Sequence, residues 1–105
     1  MDIAGIALSG LRASGAGLAV QAGNVANQLS EGYKARRVDL EADASGGVWV
    51  SGVSADPTPG GLAPSNVDLA TEAVQGMGFE LMYKANLKVL KTADELAQAT
   101  LDLKA

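Results

Sequence analysis

Asn24-Val25-Ala26-Asn27-Gln28-Leu29-Ser30-Glu31-Gly32-Tyr33-Lys34 is the stretch where one periodicity of this chain stops and another begins. Upstream of it, small or apolar residues recur at Ala4, Leu8, Leu11, Gly15, Leu18, Ala22, Val25 and Leu29. That unbroken heptad-like series predicts a helix over residues 3–29, with a stripe suited to a coiled-coil seam or to an ordinary core face. Downstream, Val38 and Leu40 alternate with polar residues, and so do Val48 and Val50, which is the period of extended strands. At the junction the amides end the helix, Gly32 is free to adopt a left-handed cap conformation, and Tyr33-Lys34 starts the extended run.

The first helix is not built like the helix of a soluble monomer. Asp2 and Arg12 are its only charges up to residue 30, and Gly, Ala, Ser, Gln and Asn fill the other faces. Gly5, Gly10, Gly15, Gly17 and Gly23 each cost about 1 kcal/mol of helix stability relative to alanine. The sum, about 5 kcal/mol, rivals the whole stability of a small domain. Such a helix is weak alone and forms when neighbours pack against it. Gln21 lies off its Ala4–Leu29 stripe.

The middle of the chain predicts a short β-hairpin, 36–42 against 47–54, turning at Asp43-Ala44-Ser45-Gly46-Gly47. A lone two-stranded ribbon is marginal in water and must lean on a helix or a neighbour. Pro57, Pro59, Gly60, Gly61 and Pro64 then make a linker that neither helix nor sheet absorbs. Ser65-Asn66-Val67-Asp68 has the form of a capping box, opening a second long helix. Its stripe runs Val74, Gly78, Met82, Ala85, Val89, Ala93, Leu96, Thr100 and Leu103. At 1.5 Å per residue the two helices would be about 40 and about 50 Å long. The expected fold is therefore mainly α. Long N- and C-terminal helices pair as an antiparallel coiled-coil hairpin, with a short β-hairpin and a Pro/Gly-rich linker between them. The three segments of this one domain are 1–32, 33–64 and 65–105. The expected seam sets Leu8, Leu11, Leu18 and Val25 against Met82, Val89, Leu96 and Leu103.

Inventory removes most chemistry. The 105 residues contain no cysteine, no histidine and only four aromatics, Tyr33, Trp49, Phe79 and Tyr83. Thiol nucleophiles, Ser–His relays, disulfides and the usual zinc sites are excluded. Asp39, Glu41 and Asp43 alternate on an exposed strand, and adjacent Asp94 and Glu95 point in different directions from a helix. Gly46-Gly47 and Gly60-Gly61 lack the Lys-Ser or Lys-Thr of a phosphate loop. No catalytic, metal or cofactor site is expected, and no small-molecule substrate. A net charge of −4 argues against nucleic acid. Lys34, Arg36 and Arg37 read as a solvated face, or as partners of Asp39 and Glu41. Met1-Asp2 lacks the positive start of a cleavable signal peptide. Gln21, Asn24, Asn27 and Gln28 make a membrane span unfavourable.

Residues 24–34 closely resemble the Asn-x-Ala-Asn-x-x-(Thr/Ser)-x-Gly-Tyr-Lys signature of flagellar rod and hook axial proteins. Asn24, Ala26, Asn27, Gly32, Tyr33 and Lys34 carry the match, with Ser30 where that family often has threonine. Independently, Ser65-Asn66-Val67-Asp68-Leu69, Tyr83-Lys84-Ala85-Asn86 and the run Lys88 to Leu96 resemble the family's C-terminal helix. Asn66, Val67, Asp68, Tyr83, Ala85 and Asn86 are the matched positions, and the likeness covers residues 3–42 and 65–104. Within the family, Tyr33-Lys34-Ala35-Arg36-Arg37-Val38 and the strand from Gly47 are most similar to proximal rod proteins, with a shortened linking stretch. Gly76-Met77-Gly78-Phe79-Glu80-Leu81-Met82 departs from the family's Met-Ile-x-x-Gln-Arg-Ala pattern.

The resemblance implies a structural subunit of the bacterial flagellar basal-body rod that self-assembles helically through its terminal helices. It implies other rod and hook subunits as partners. It also implies export by the flagellar type III apparatus without a cleaved signal, and a place in the part of the rod that traverses the periplasm. The alternatives are a small secreted helical-hairpin protein or a helical adaptor outside the flagellum. Secreted hairpins of the first kind carry Trp-x-Gly at the helix–helix turn, whereas Trp49 is followed by Val50-Ser51-Gly52 in a predicted strand.

Overall fold

Asp2 opens the first helix: its carboxylate accepts the Gly5 N–H at 2.8 Å, replacing a partner that a helix start lacks. The computed structural model describes residues 1–104, in which α1 spans Ile3–Ala26. The helix ends at Ala26 and not at residue 29 because Asn27 caps it. Both the backbone N–H and the side-chain amide of Asn27 donate to the Gly23 carbonyl, at 3.1 and 2.9 Å. Gly32 then takes φ +76°, a conformation that side chains disfavour, and turns the chain into the first strand.

Strands β1 (Arg36–Ala42) and β2 (Val48–Ala55) form an antiparallel ribbon. The register passes from Asp39↔Gly52 to Leu40↔Val50, leaving Ser51 as the extra residue of a bulge. At the turn, the Asp43 carboxylate accepts the Ser45 N–H and hydroxyl, and Gly46 sits at φ +105°. The ribbon leans on α1, as a marginal hairpin must. Val48 N–H donates to Ser9 Oγ at 3.1 Å, and Gly47 lies so close that a Cβ there would stand 2.7 Å from the same oxygen.

Helix α2 (Leu69–Lys104) is 36 residues long and gives the molecule its 67 × 24 × 15 Å shape. It starts later than the Ser65 capping box suggests. Asp68 is the cap, accepting the N–H groups of Ala70 and Thr71 at 2.9 and 3.3 Å, while Ser65 is drawn away to donate to the Gln28 carbonyl.

The two helices pass each other in opposite directions. Moving up α1, Gly10 faces Asn86, Gly17 faces Phe79, Gln21 faces Gly76 and Asn24 bonds Glu72. The surface of α1 that meets α2 and the ribbon is therefore small: Ala7, Gly10, Ala13, Ser14, Gly17 and Asn24 are its buried residues. The face towards α2 keeps heptad spacing but is displaced by one residue from the leucine stripe. The expected pairing of Leu8, Leu11, Leu18 and Val25 with Met82, Val89, Leu96 and Leu103 is thus not how α1 meets α2. Leu8 and Val25 remain 39% and 43% exposed, Val89 and Leu96 44% and 62%, and Leu103 88%; Leu11, Leu18 and Met82 are half-buried at the flanks. Gln21, off the stripe, belongs to the meeting face.

The physical reason is geometric. Glycine, alanine and serine let the backbones approach until the Phe79 ring and the Asn86 side chain rest on bare α1 backbone, which leucines there would prevent. Helix α1 must also carry the ribbon, so a third face is left over, and the leucine stripe occupies it. Beyond Ile3, which lies beside Ala93 and Leu96, α2 continues without α1 next to it.

By length and a mean hydropathy of 1.4, α1 could cross a membrane. Its Asn24 and Gln21 side chains are instead bonded to β1 and α2.

Candidate functional site

The family-like motif residues converge on one joint where α1 ends, β1 begins and α2 begins. Asn24, fully buried, holds it together through four hydrogen bonds. Its oxygen accepts the Arg36 N–H at 2.8 Å and the Tyr33 hydroxyl at 3.0 Å, and its amide donates to the Arg36 carbonyl at 2.9 Å and to Glu72 Oε2 at 3.1 Å. The other carboxylate oxygen of Glu72 receives Arg37 at 2.8 Å. Glu72 is 1% exposed, so this charge is tolerated because both oxygens are paired. Arg37 thus partners Glu72 across the fold, in place of the expected Asp39 or Glu41.

Asn66 fastens the linker in the same manner. Its oxygen accepts the Ala35 N–H at 2.6 Å, and its amide donates to the Asp56 and Thr58 carbonyls at 2.9 and 2.8 Å. Gly32 N–H donates to the Pro64 carbonyl at 2.8 Å, tying the two ends of the middle segment together. The Asp56 carboxyl is held below the usual carboxylate range, chiefly by the backbone N–H of Thr58. Ser45 does the same for Asp43, and Lys84, at 2.8 Å, for Glu80.

The structure separates the remaining motif residues by task. Asn27 and Asp68 cap helices, and Val67 is half-buried at the joint. Ala26, Lys34 and Ala85 are exposed, and Tyr83 is 40% exposed. Asn86 lies far from the joint, with its amide on the Met82 carbonyl and its side chain over Gly10.

Sequence reasoning missed Glu72, Arg37, Gln21 and Ser65 as members of the joint. An acid in the first turn of a helix reads as an exposed dipole partner, and no local signal marks Glu72 as buried. The recess beside the joint is lined by Arg37, Asp56, Asn66 and Asp68, each already engaged. Among residues 1–104 no three acidic or other metal-ligating side chains converge.

Large apolar residues also stand exposed outside the joint. Val74, Met77 and Leu81 on α2 are 67–69% exposed, and the leucine stripe of α1 is half open. Gly15 and Gly78 have nothing within 4 Å of where a Cβ would stand, so their cost to the helices is not recovered inside one chain.

A family profile described as flagellar basal body rod FlgEFG protein C-terminal matches residues 58–103. The flagellar basal-body rod protein FlgC of Buchnera aphidicola subsp. Acyrthosiphon pisum is 31% identical over 131 aligned positions, covering 98% of this chain and 96% of that protein. The chain belongs to the flagellar basal-body rod protein family. It is FlgC-like, and its role is that of a structural protein of the basal-body rod. Because 131 aligned positions exceed the 105 residues present, the relative carries residues that this rod-family chain lacks.

Proposed function

We propose that this chain is a proximal-rod subunit that joins a helical assembly through its two terminal helices and catalyses no reaction. The end-to-end likeness to a rod protein carries the reading. The energetics support it: the chain exposes apolar residues at heptad spacing on both helices while its joint uses up its polar groups. The α1–α2 packing is a coiled coil with small knobs, because the α1 positions 7, 10, 14, 17, 21 and 24 alternate by three and four. Neighbouring subunits cover the leucine stripes. Other rod and hook subunits flank it, the flagellar type III apparatus exports it unfolded, and it resides where the rod traverses the periplasm.

The test is circular dichroism of a dilute, demonstrably monomeric sample beside the assembled form. Helix content should rise markedly on assembly, since helices interrupted by several glycines are weak alone and draw their stability from packing. Near-complete helicity in the monomer would remove assembly as the source of its stability.

A further inference from the structure

We propose that the outer face of α2 is a docking ridge for the β-hairpin of a second copy of this chain. The proposal rests on the rod-subunit reading and adds which surfaces meet. Lys84, Lys88 and Lys91 stand at i, i+4 and i+7, so they share one face of α2. Leu81 and Leu87 flank them, 69% and 48% exposed. Among the described residues, Lys84 pairs with exposed Glu80, and Lys88 and Lys91 form no ion pair. Like charges four apart weaken a helix, and here they sit beside bare leucine surface. Most of this face lies off the line along which α2 meets α1 at Gly76, Phe79 and Asn86, and Lys88 borders the recess that Ile3 of α1 also lines.

The complement lies on the ribbon. Asp39 and Glu41 alternate on β1 and so project from one side of it. Trp49 is the register partner of Glu41, hence on that same side, and is 49% exposed. Arg37 shares that side but is committed to Glu72, so among the described residues neither carboxylate has an ion pair, and Asp39 accepts the Ser54 hydroxyl at 3.2 Å. Acid plus exposed indole matches lysine plus exposed leucine in both charge and apolar character. The body of the ribbon packs on α1, and its contact with α2 is Arg37 at Glu72 in the first turn, so α1 lies between the Asp39–Glu41 patch and the lysine face within one chain. Each must find its counterpart on another copy. A contact between two different patches repeats without closing unless its rotation returns to the start, which is the geometry of a helical filament.

The absence of cysteine gives a clean test. Cells carrying the Glu41→Cys/Lys88→Cys double variant should yield oxidised basal bodies in which chains are linked into a ladder, and neither single variant should give one. Lys88→Glu with Lys91→Glu should lower incorporation about tenfold, and adding Asp39→Lys with Glu41→Lys should restore it. Variants that enter basal bodies normally, without a ladder and without the loss and rescue, would overturn this contact and leave the rod reading standing. Absence of the tagged wild-type chain from basal bodies would overturn both.

Discussion

Replacing Gly17 by alanine adds one methyl group to the face of α1 that meets α2, where the new Cβ would overlap the Phe79 ring. Alanine gains about 1 kcal/mol of helix propensity over glycine. Overpacking a tight contact costs about 1–3 kcal/mol. The net effect is a loss of up to about 2 kcal/mol, because the ring or the helices must shift to admit the methyl. Gly15→Ala makes the same chemical change two residues away, where nothing stands within 4 Å. It keeps the full propensity gain of about 1 kcal/mol. The two variants should therefore differ by about 1–3 kcal/mol. For a chain of this size that is at least about 4 °C in melting temperature, followed by helical circular dichroism of the dilute chain. Gly17→Ala melting at or above Gly15→Ala would refute the small-residue packing of α1 on α2.

Arg37→Ala strands the Glu72 carboxylate at 1% exposure, and since the Arg37 side chain is itself only 27% exposed, the loss should be about 3 kcal/mol; urea unfolding beside an Arg36→Ala control, with little change in the control, checks it. Leu18→Asp should cost the dilute chain less stability than Gln21→Asp yet block assembly, because Leu18 is only half-buried while Gln21 donates to the Glu72 carbonyl and packs on Gly76; sedimentation and melting of both variants separate the two effects. The Asp56 carboxyl has its folded pKa lowered by Thr58, so its hold on the linker is present at neutral pH and lost as pH falls through that lowered value. Titrating the Thr58 amide by NMR from about pH 5 to about pH 2 should show it moving with Asp56, and an amide shift that stays constant would contradict the bond.

Much of the architecture could be read from the chain because it rests on local signals. The ribbon was placed by the period-two alternation of Val38, Leu40, Val48 and Val50 and by the glycines of its turn, and it forms at Arg36–Ala42 and Val48–Ala55. Both helices follow from their heptads. What periodicity could not say is which face meets which. The leucine stripe and the Ala7-Gly10-Ser14-Gly17 stripe have the same spacing, one residue apart, and hydrophobicity favours the former. Backbone proximity favours the latter, and that is decided only when Phe79 and Asn86 arrive from the other end of the chain. The motif residues were legible as a pattern, but the work of Asn24 was not. It depends on Glu72 and Arg37, which are distant in sequence and of residue types that usually face water. The helix ends moved for a related reason: Asn27 caps α1 before its apolar stripe runs out, and Asp68 in place of Ser65 caps the start of α2.

The central claim is that this chain builds the rod, and basal bodies purified from motile cells test it most directly. With hook and filament stripped away, a tagged copy should remain in the rod fraction, and the Leu18→Asp copy should be made but missing from it, with swimming lost when that copy is the only one present. Basal bodies from motile cells that express the tagged chain yet contain none of it would contradict the account.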